Sequence, residues 1–550
     1  MKAIHYILLS ILTFSFIISC NYTRKIVDGK TAYERKQYAV AAPMLEKEYK
    51  KAKDNKSKGE LAFLAGRSYD KTNQLEKALE WYKYAHTNRY GTEALKEYAY
   101  ALKENELYLE AVDAFQELSE ELGNSYAYRK EVNACKTAIK WKKEKKKNDY
   151  KVSLSEFNSP NADYSPVWYN EDEIIISSDR SSIEGANTFN WTGNDFSDLF
   201  IVNTKTNEIR PFSEDINSEY NEGTLTFNAD KSKVIFSRCG TGGGEDDYCK
   251  LLIAEKEGSS WSEPKVLPFV LEKVNYAHPY WKGNILYFVA DEDEGWGGYD
   301  IYTVEYSNSG WLESRLLGAN INTELDDMFP WFNADTLYFA SEGHGGMGGL
   351  DIWRSEMTNG IFSKVENMKA PINSGADDFG FILRQVNDGK IAEQGFLSSN
   401  RKEGIGGDDI YAFTKNIPVI IPEPVDTIPV VVIPEPETKI ITLEVYVLGK
   451  TYSNPNDPKS AFLGNLPLSD VSLQITSPSG NKTVSTDEEG KYVLDIDQEA
   501  SYRFFASQKD YYNKTANFSA RNRPEKEVYQ LEIVLDKIRK NGEKYLQLII

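Results

Sequence analysis

Three stretches of this chain are close copies of one another: GGYDIYTVE (297–305), GGLDIWRSE (348–356) and GGDDIYAFT (406–414). Each follows an aromatic, β-branched run that ends in a glycine-rich loop. Upstream echoes are DYSPVWYNEDEIIISSDR, YNEGTLTFNADKSKVIFSRC, AHPYWKGNILYFVADED, DMFPWFNADTLYFASEG and DDFGFILRQVNDGKIAEQGFLSSNR. Placing the repeated aspartate in register gives Asp198, Lys250, Asp300, Asp351 and Asp409, separated by 52, 50, 51 and 58 residues. A fixed period near fifty, made only of strand and turn signals, predicts a radial array: a five-bladed β-propeller over residues 148–416.

Strand bookkeeping predicts how the ring closes. Four copies carry a further short strand (EIRPF, PKVLPF, SRLLG and SKVEN), but after DDIYAFTK the chain runs into prolines. The missing strand is supplied by YKVSLSEF (Tyr150–Phe157), which should pair beside Ile410–Phe413 and remove two open edges.

Outward from the propeller the composition changes. Residues 30–147 read as helix, with Gly66, Tyr69, Ala78, Tyr82 and Ala85, then Ala99, Leu102, Ala111, Phe115 and Leu118, at the spacing of a tetratricopeptide repeat. Ala41, Ala78 and Ala111 lie 37 and 33 residues apart. The expectation is an α-helical tetratricopeptide solenoid of three units. Residues 417–438 are punctuated by Pro418, Pro422, Pro424, Pro429, Pro434 and Pro436 and read as an extended linker. Residues 439–537 alternate as a small β-sandwich, and 538–550 form a tail. The chain is therefore expected to be multidomain, as its 550 residues require.

The N-terminus reads as a processing signal. Lys2 precedes an apolar run from Ile4 to Ile18, too short for a comfortable membrane span, and the run ends at Ser19-Cys20. This resembles a bacterial lipobox, with residues 1–19 as signal peptide, Cys20 as the lipid-attachment residue and 20–29 as a tether. Acylation would hold the protein at a membrane surface without a spanning helix. An early acidic cluster is missing after Cys20, which points by resemblance to the periplasmic side. Cys135 reads as a buried structural thiol. Cys239 and Cys249 bracket a glycine-rich hairpin tip and are candidates for a disulfide in an exported protein.

The chemistry sought is not found. The four histidines, His5, His86, His278 and His344, form no HExxH, and no GxSxG elbow occurs. GHGGMGG lacks the following helix and lysine of a phosphate loop and reads as a blade loop needing positive φ. DEDEG and GEDDY lack the spaced oxygen ligands of a Ca²⁺ loop. The repeated aspartates can cap their own turns. No catalytic residue, cofactor or metal is expected. The formal net charge of −20 argues against nucleic acid as a partner.

Resemblances sharpen these expectations. Gly310–Trp353 matches the WD-repeat-like propellers of periplasmic proteins. Pro467-Leu468, Val471, Thr486-Asp487 and Gly490-Lys491-Tyr492 match the carboxypeptidase-regulatory-like sandwich, which has no peptidase machinery. With the lipobox and the helical repeats, the order of parts resembles the PorE-like envelope lipoproteins of the type IX secretion and gliding apparatus in Bacteroidetes. That family continues into an OmpA-like peptidoglycan-binding domain where this chain ends at LDKIRKNGEKYLQLII. The resemblance implies a non-enzymatic scaffold lipoprotein at the outer membrane, facing the periplasm, with envelope proteins as partners. The alternative is a glycan- or peptidoglycan-sensing protein that binds through a propeller face. Aromatic residues clustered on one face would favour the alternative; an apolar groove in the helices would favour the scaffold.

Overall fold

The computed structural model describes residues 26–124, 127–144, 149–180, 188–240, 248–386, 389–417, 441–452, 462–478, 480–497, 500–521 and 528–538. Cys20, most of the tether, the proline-rich segment and the tail beyond Ile538 lie outside the described residues.

Five antiparallel sheets of four or five strands form the centre. Their innermost strands are Asp163–Trp168, Asn221–Phe227, Tyr276–Lys282, Asp327–Asn333 and Asp378–Gln385, and each packs against the next around a closed ring. The fifth sheet is completed from the other end of the domain. Strand Tyr150–Leu154 pairs antiparallel with Asp409–Asn416, in the register Tyr150↔Lys415 through Leu154↔Tyr411.

The opening motif explains how blades are joined. In each copy the aspartate turns one carboxylate oxygen back onto its own loop. Asp300 accepts from the amides of Trp296 and Gly297, Asp351 from Met347 and Gly348, and Asp409 from Ile405 and Gly406. The first glycine of each motif abuts the next blade. A Cβ on Gly348 would lie 1.5 Å from the Gly375 carbonyl oxygen, and one on Gly406 would lie 1.8 Å from that of Asn161. Close approach, not positive φ, is what excludes a side chain there; only Gly345 in GHGGMGG has a left-handed φ, of 77°. An asparagine in the inter-blade loop then clamps the neighbouring strand through both its amide atoms: Asn217 on Leu199, Asn322 on Ile301, Asn373 on Ile352 and Asn158 on Ile410.

The expected fold class is corrected at the N-terminal region. The described chain is predominantly β, with thirty-one strands against seven helices (Gly29–Glu34, Tyr38–Tyr49, Asn55–Asp70, Leu75–Thr87, Thr92–Glu104, Tyr108–Glu121 and Arg129–Glu144). These helices do not make the chain a tetratricopeptide solenoid: the earlier ones share a cluster with Leu45, Phe63 and Tyr82, but the later ones are not closed by helical residues alone. The cluster formed by the later helices, with Leu102, Phe115, Leu118 and Cys135, is completed by Met347 and Ala370 of the propeller. The helices are a layer laid on the loop end of the blades, and the apolar face of the later ones is closed in part by propeller loop residues. Local spacing of alanines sets helix-to-helix approach but carries no information about which surface covers the pair.

The C-terminal unit is two packed sheets around Val445, Val447, Leu473, Phe504 and Ile533. It leans on the last helix, where the Arg129 guanidinium stacks 3.5 Å from the Tyr446 ring centroid and pairs with Glu532.

Candidate functional site

The inner strands all begin at the end of the ring that the helices cover. At this end two blades carry doublets of acids, Asp326-Asp327 in the fourth and Asp377-Asp378 and Asp408-Asp409 in the fifth, and the two members of each behave differently. The second is fully buried and structural. Asp378 accepts from the Ser374 amide and hydroxyl and pairs with Arg401; Asp327 accepts from the Thr323 amide and hydroxyl. The first member is half-buried and faces the helices. Asp326 accepts from the Tyr299 amide at 2.8 Å, and Asp377 from the Leu350 amide at 2.8 Å and Asn400 Nδ2 at 3.0 Å. Asp408 accepts from Asn73 Nδ2, across the seam, at 3.0 Å.

The helical layer brings more acids to the same place. Asp70 ends one helix, Glu104 ends another, and Glu97 lies a turn and more before Glu104. Glu342, at the end of an inner hairpin, completes the set. The seam is tied by Gly375 N–H donating to Glu106 at 3.2 Å, by Lys130 on the Gly343 carbonyl, and by Trp191 Nε1 on the Lys71 carbonyl at 3.0 Å. What results is an acidic seam between the helices and blades four and five, whose carboxyls are half-buried. The side chains of Asp70, Glu104 and Glu342 have no hydrogen-bond partner among the described residues.

Electrostatics follow from this enclosure. Burial, reinforced by Asp326, Asp377 and Asp70, pushes the Glu342 carboxyl up to about 8. Burial and Asp377 push Asp408 up to about 8. Asp70 rises to about 6 through burial, with Lys71 and Arg67 opposing. Burial likewise moves Glu104, Asp377 and Asp326 upward. At neutral pH several of these groups therefore hold a proton that an exposed carboxylate would have lost.

The histidines take no part. His278 lies in the third position of an inner strand at φ 50°, stacked 3.6 Å from Phe329, and burial lowers it to about 3. His344 bonds the Ile321 carbonyl at 2.8 Å and is lowered to about 4, chiefly by burial. Cys239 and Cys249 are joined by a disulfide beside a blade loop, away from the pocket. Cys135 is free and buried, and burial raises it to about 11. Among the described residues no group of three His, Cys, Asp or Glu side chains is placed to hold a metal ion.

Aromatic residues also lie at the helix-facing end of the first blade. Trp191, in a loop of the first blade, packs edge-on against Tyr38 at 4.8 Å and stacks with Phe189 at 6.4 Å, beside the Lys71 backbone it caps. Sequence reasoning passed over the pocket carboxylates because acids next to turns read as solvated. The usable signal was the doublet itself: one aspartate suffices to cap the loop, so the second has another role.

No protein-family model matches the chain, and no curated protein does. Several solved structures are similar over about half of it. A β-xylosidase/α-arabinofuranosidase from a compost metagenome has 9% identity and a TM-score of 0.32, covering 48% of this chain and 94% of its own. The catalytic domain of a Coprinopsis cinerea α-L-arabinofuranosidase has 9% identity and a TM-score of 0.30, over 46% and 91%. A protein of unknown function from Dyadobacter fermentans has 10% identity and a TM-score of 0.30, over 49% and 100%. The expectation of a chain without enzymatic activity is corrected here and not retained, since glycoside hydrolases stand among its structural neighbours. At these TM-scores the likeness assigns no activity to this chain.

Proposed function

We propose that this chain binds a glycan in the pocket between its helical layer and its propeller. The observation that supports the reading is the set of enclosed carboxyls with unused oxygens at the loop end of the ring. Sugar hydroxyls are donors, and carboxylates accept them in pairs more strongly than neutral groups do. Phe189 and Trp191, half-buried in the first blade's loop beside Lys71, are the aromatic surface this reading would use for stacking on sugar rings. A docking role in secretion or gliding machinery has no comparable support.

Binding is tested by titrating the full chain with xylo-, arabino- and chito-oligosaccharides and soluble peptidoglycan fragments in a calorimeter, with reducing ends followed in parallel to detect hydrolysis. Saturable binding that is lost in Asp377→Asn/Glu342→Gln is expected. A folded chain that binds none of the panel overturns the reading.

The proposal places the protein at the outer membrane, held through acylated Cys20 and facing the periplasm, where envelope glycans and envelope proteins are within reach. Its support is the Ser19-Cys20 junction after a short apolar run. Cys20→Ala is expected to move the protein from the membrane to the soluble fraction; unchanged retention sinks the anchor.

A further inference from the structure

We infer that the C-terminal sandwich is a reversibly docked arm, held on the helical layer by a polar latch at Arg129 and poised to leave it. Residues 418–440 separate the sandwich from the propeller, so its place is set by what it touches. Its core, from Leu443 to Leu535, is made of its own residues. Among the described residues no buried apolar cluster joins it to the helices or the ring. The contacts that cross the seam are polar. The Arg129 guanidinium stacks on the Tyr446 ring at 3.5 Å and pairs with Glu532. Asn124 Nδ2 donates to the Asn465 carbonyl at 3.3 Å, and the Lys514 ammonium stands 5.8 Å from the Trp296 ring of the third blade.

The second ground is what this seam leaves unmet. On the helical side these are the Tyr128 hydroxyl and Arg129 Nε and Nη1; on the sandwich side, Thr451 Oγ1 and Asn465 Oδ1. All five atoms are shut off from solvent without a hydrogen-bond partner among the described residues. The two sides abut here. A Cβ on Gly464 would lie 3.1 Å from the Ala127 carbonyl oxygen and 3.5 Å from Tyr128 Cζ, the carbon that bears the hydroxyl. Thr451 faces Gly464 across its ladder, and Asn465 is the next residue along. Water serves the Tyr128 and Arg129 groups once the sandwich is away, and docking removes it. A buried donor or acceptor left unmet costs more than an ordinary hydrogen bond returns. Attraction and desolvation are thus near balance, as in a small interface between domains and unlike a shared core.

The latch is open to ions. The side chains of Arg129 and Glu532 are 13% and 31% exposed, so added salt screens the pair and favours release. Opening bares Tyr446 and Glu532 on the sandwich, and Tyr128 and Arg129 at the start of helix Arg129–Glu144 on the other side.

The full chain is measured by small-angle X-ray scattering at about 0.05 M and about 1 M salt, with melting curves in parallel. The expected result is a compact form at low salt and a second, more extended form whose share rises about threefold or more at high salt. Arg129→Ala is expected to raise the extended share about tenfold at low salt while the propeller melts as before. Tyr128→Phe is expected to lower that share about fivefold at high salt, because it removes an unmet buried group and leaves the latch in place. A residue that merely packed the seam would not tighten it on losing an atom. A single compact form at both salts, in the wild type and in Arg129→Ala, overturns the inference. So does an extended share that Tyr128→Phe raises or leaves unchanged.

Discussion

Deleting residues 150–157 is expected to unfold the propeller cooperatively, with a loss of about 5 kcal/mol or more, on the scale of a whole domain's stability. The segment is short, but it is the only described strand that completes the fifth sheet. Five residues of it pair with Tyr411–Lys415, and the Ser155 amide bonds the Ile410 carbonyl at 3.0 Å. Phe157 is buried in the cluster that joins the fifth blade to the first, beside Ile174, Phe396 and Ile410. Burying a side chain of that size contributes about 1.5–3 kcal/mol. Tyr150, Val152 and Leu154 add half-buried contacts with Phe381, Leu397 and Phe413. Without the strand, Asp409–Asn416 becomes an open edge and the ring's two ends are no longer tied. Tying ends so distant in sequence costs loop entropy, but that cost grows only logarithmically with length. The check is a melting curve and limited proteolysis of the full chain with and without the segment. A deletion that leaves both unchanged disproves the closure.

What could be read in advance was whatever repeats. The five inner hairpins share a period, and the period was visible because each blade solves one packing problem with the same residues. The loop aspartates were legible too, since capping is a short-range act between Asp300 and the amides a few residues before it. The glycines were legible as necessary but not as to reason. Their constraint comes from Gly375 or Asn161 in another blade, and a single sequence does not show what lies across a seam. The pocket was hidden for the same reason: Asp70 and Glu342 are 272 residues apart and meet only because a helical layer lies over a ring. The helices misled in the other direction. Alanine spacing reported their mutual approach correctly at short range, yet Met347 and Ala370 supply part of their core. Lys103 shows the limit most sharply. In ALKENE it reads as one more solvated helix lysine, and it is 1% exposed.

Replacing Lys103 by methionine is expected to destabilise the helical layer by about 3–5 kcal/mol, although the side chain is replaced by an apolar one of similar length. Its ammonium lies 2.7 Å from Glu131 Oε2, and Glu131 is itself buried, at 7% exposure. Burial opposes the charge on Lys103, but the attraction and hydrogen bond of Glu131 outweigh it, and the amine is shifted upward. Removing the cation strands a carboxylate in an interior that also holds Asp351 close by, already raised to about 7 chiefly by burial, with Lys103 among the groups holding it down. Glu131 then loses its partner, and Asp351 loses a compensating charge. The cost is that of an unpaired charge, not of a lost attraction, and this distinction is testable. The double variant Lys103→Met/Glu131→Leu removes both ions, so it should recover most of the lost stability, because a buried ion pair repays little more than its own desolvation. Denaturant melts of the wild type, both single variants and the double variant close the cycle. If the double variant is as unstable as the sum of the singles, the pair is not coupled and the buried-charge account fails. Recovery in the double variant instead means that the pair adds little net stability, and that its disruption is costly because the remaining charge is buried.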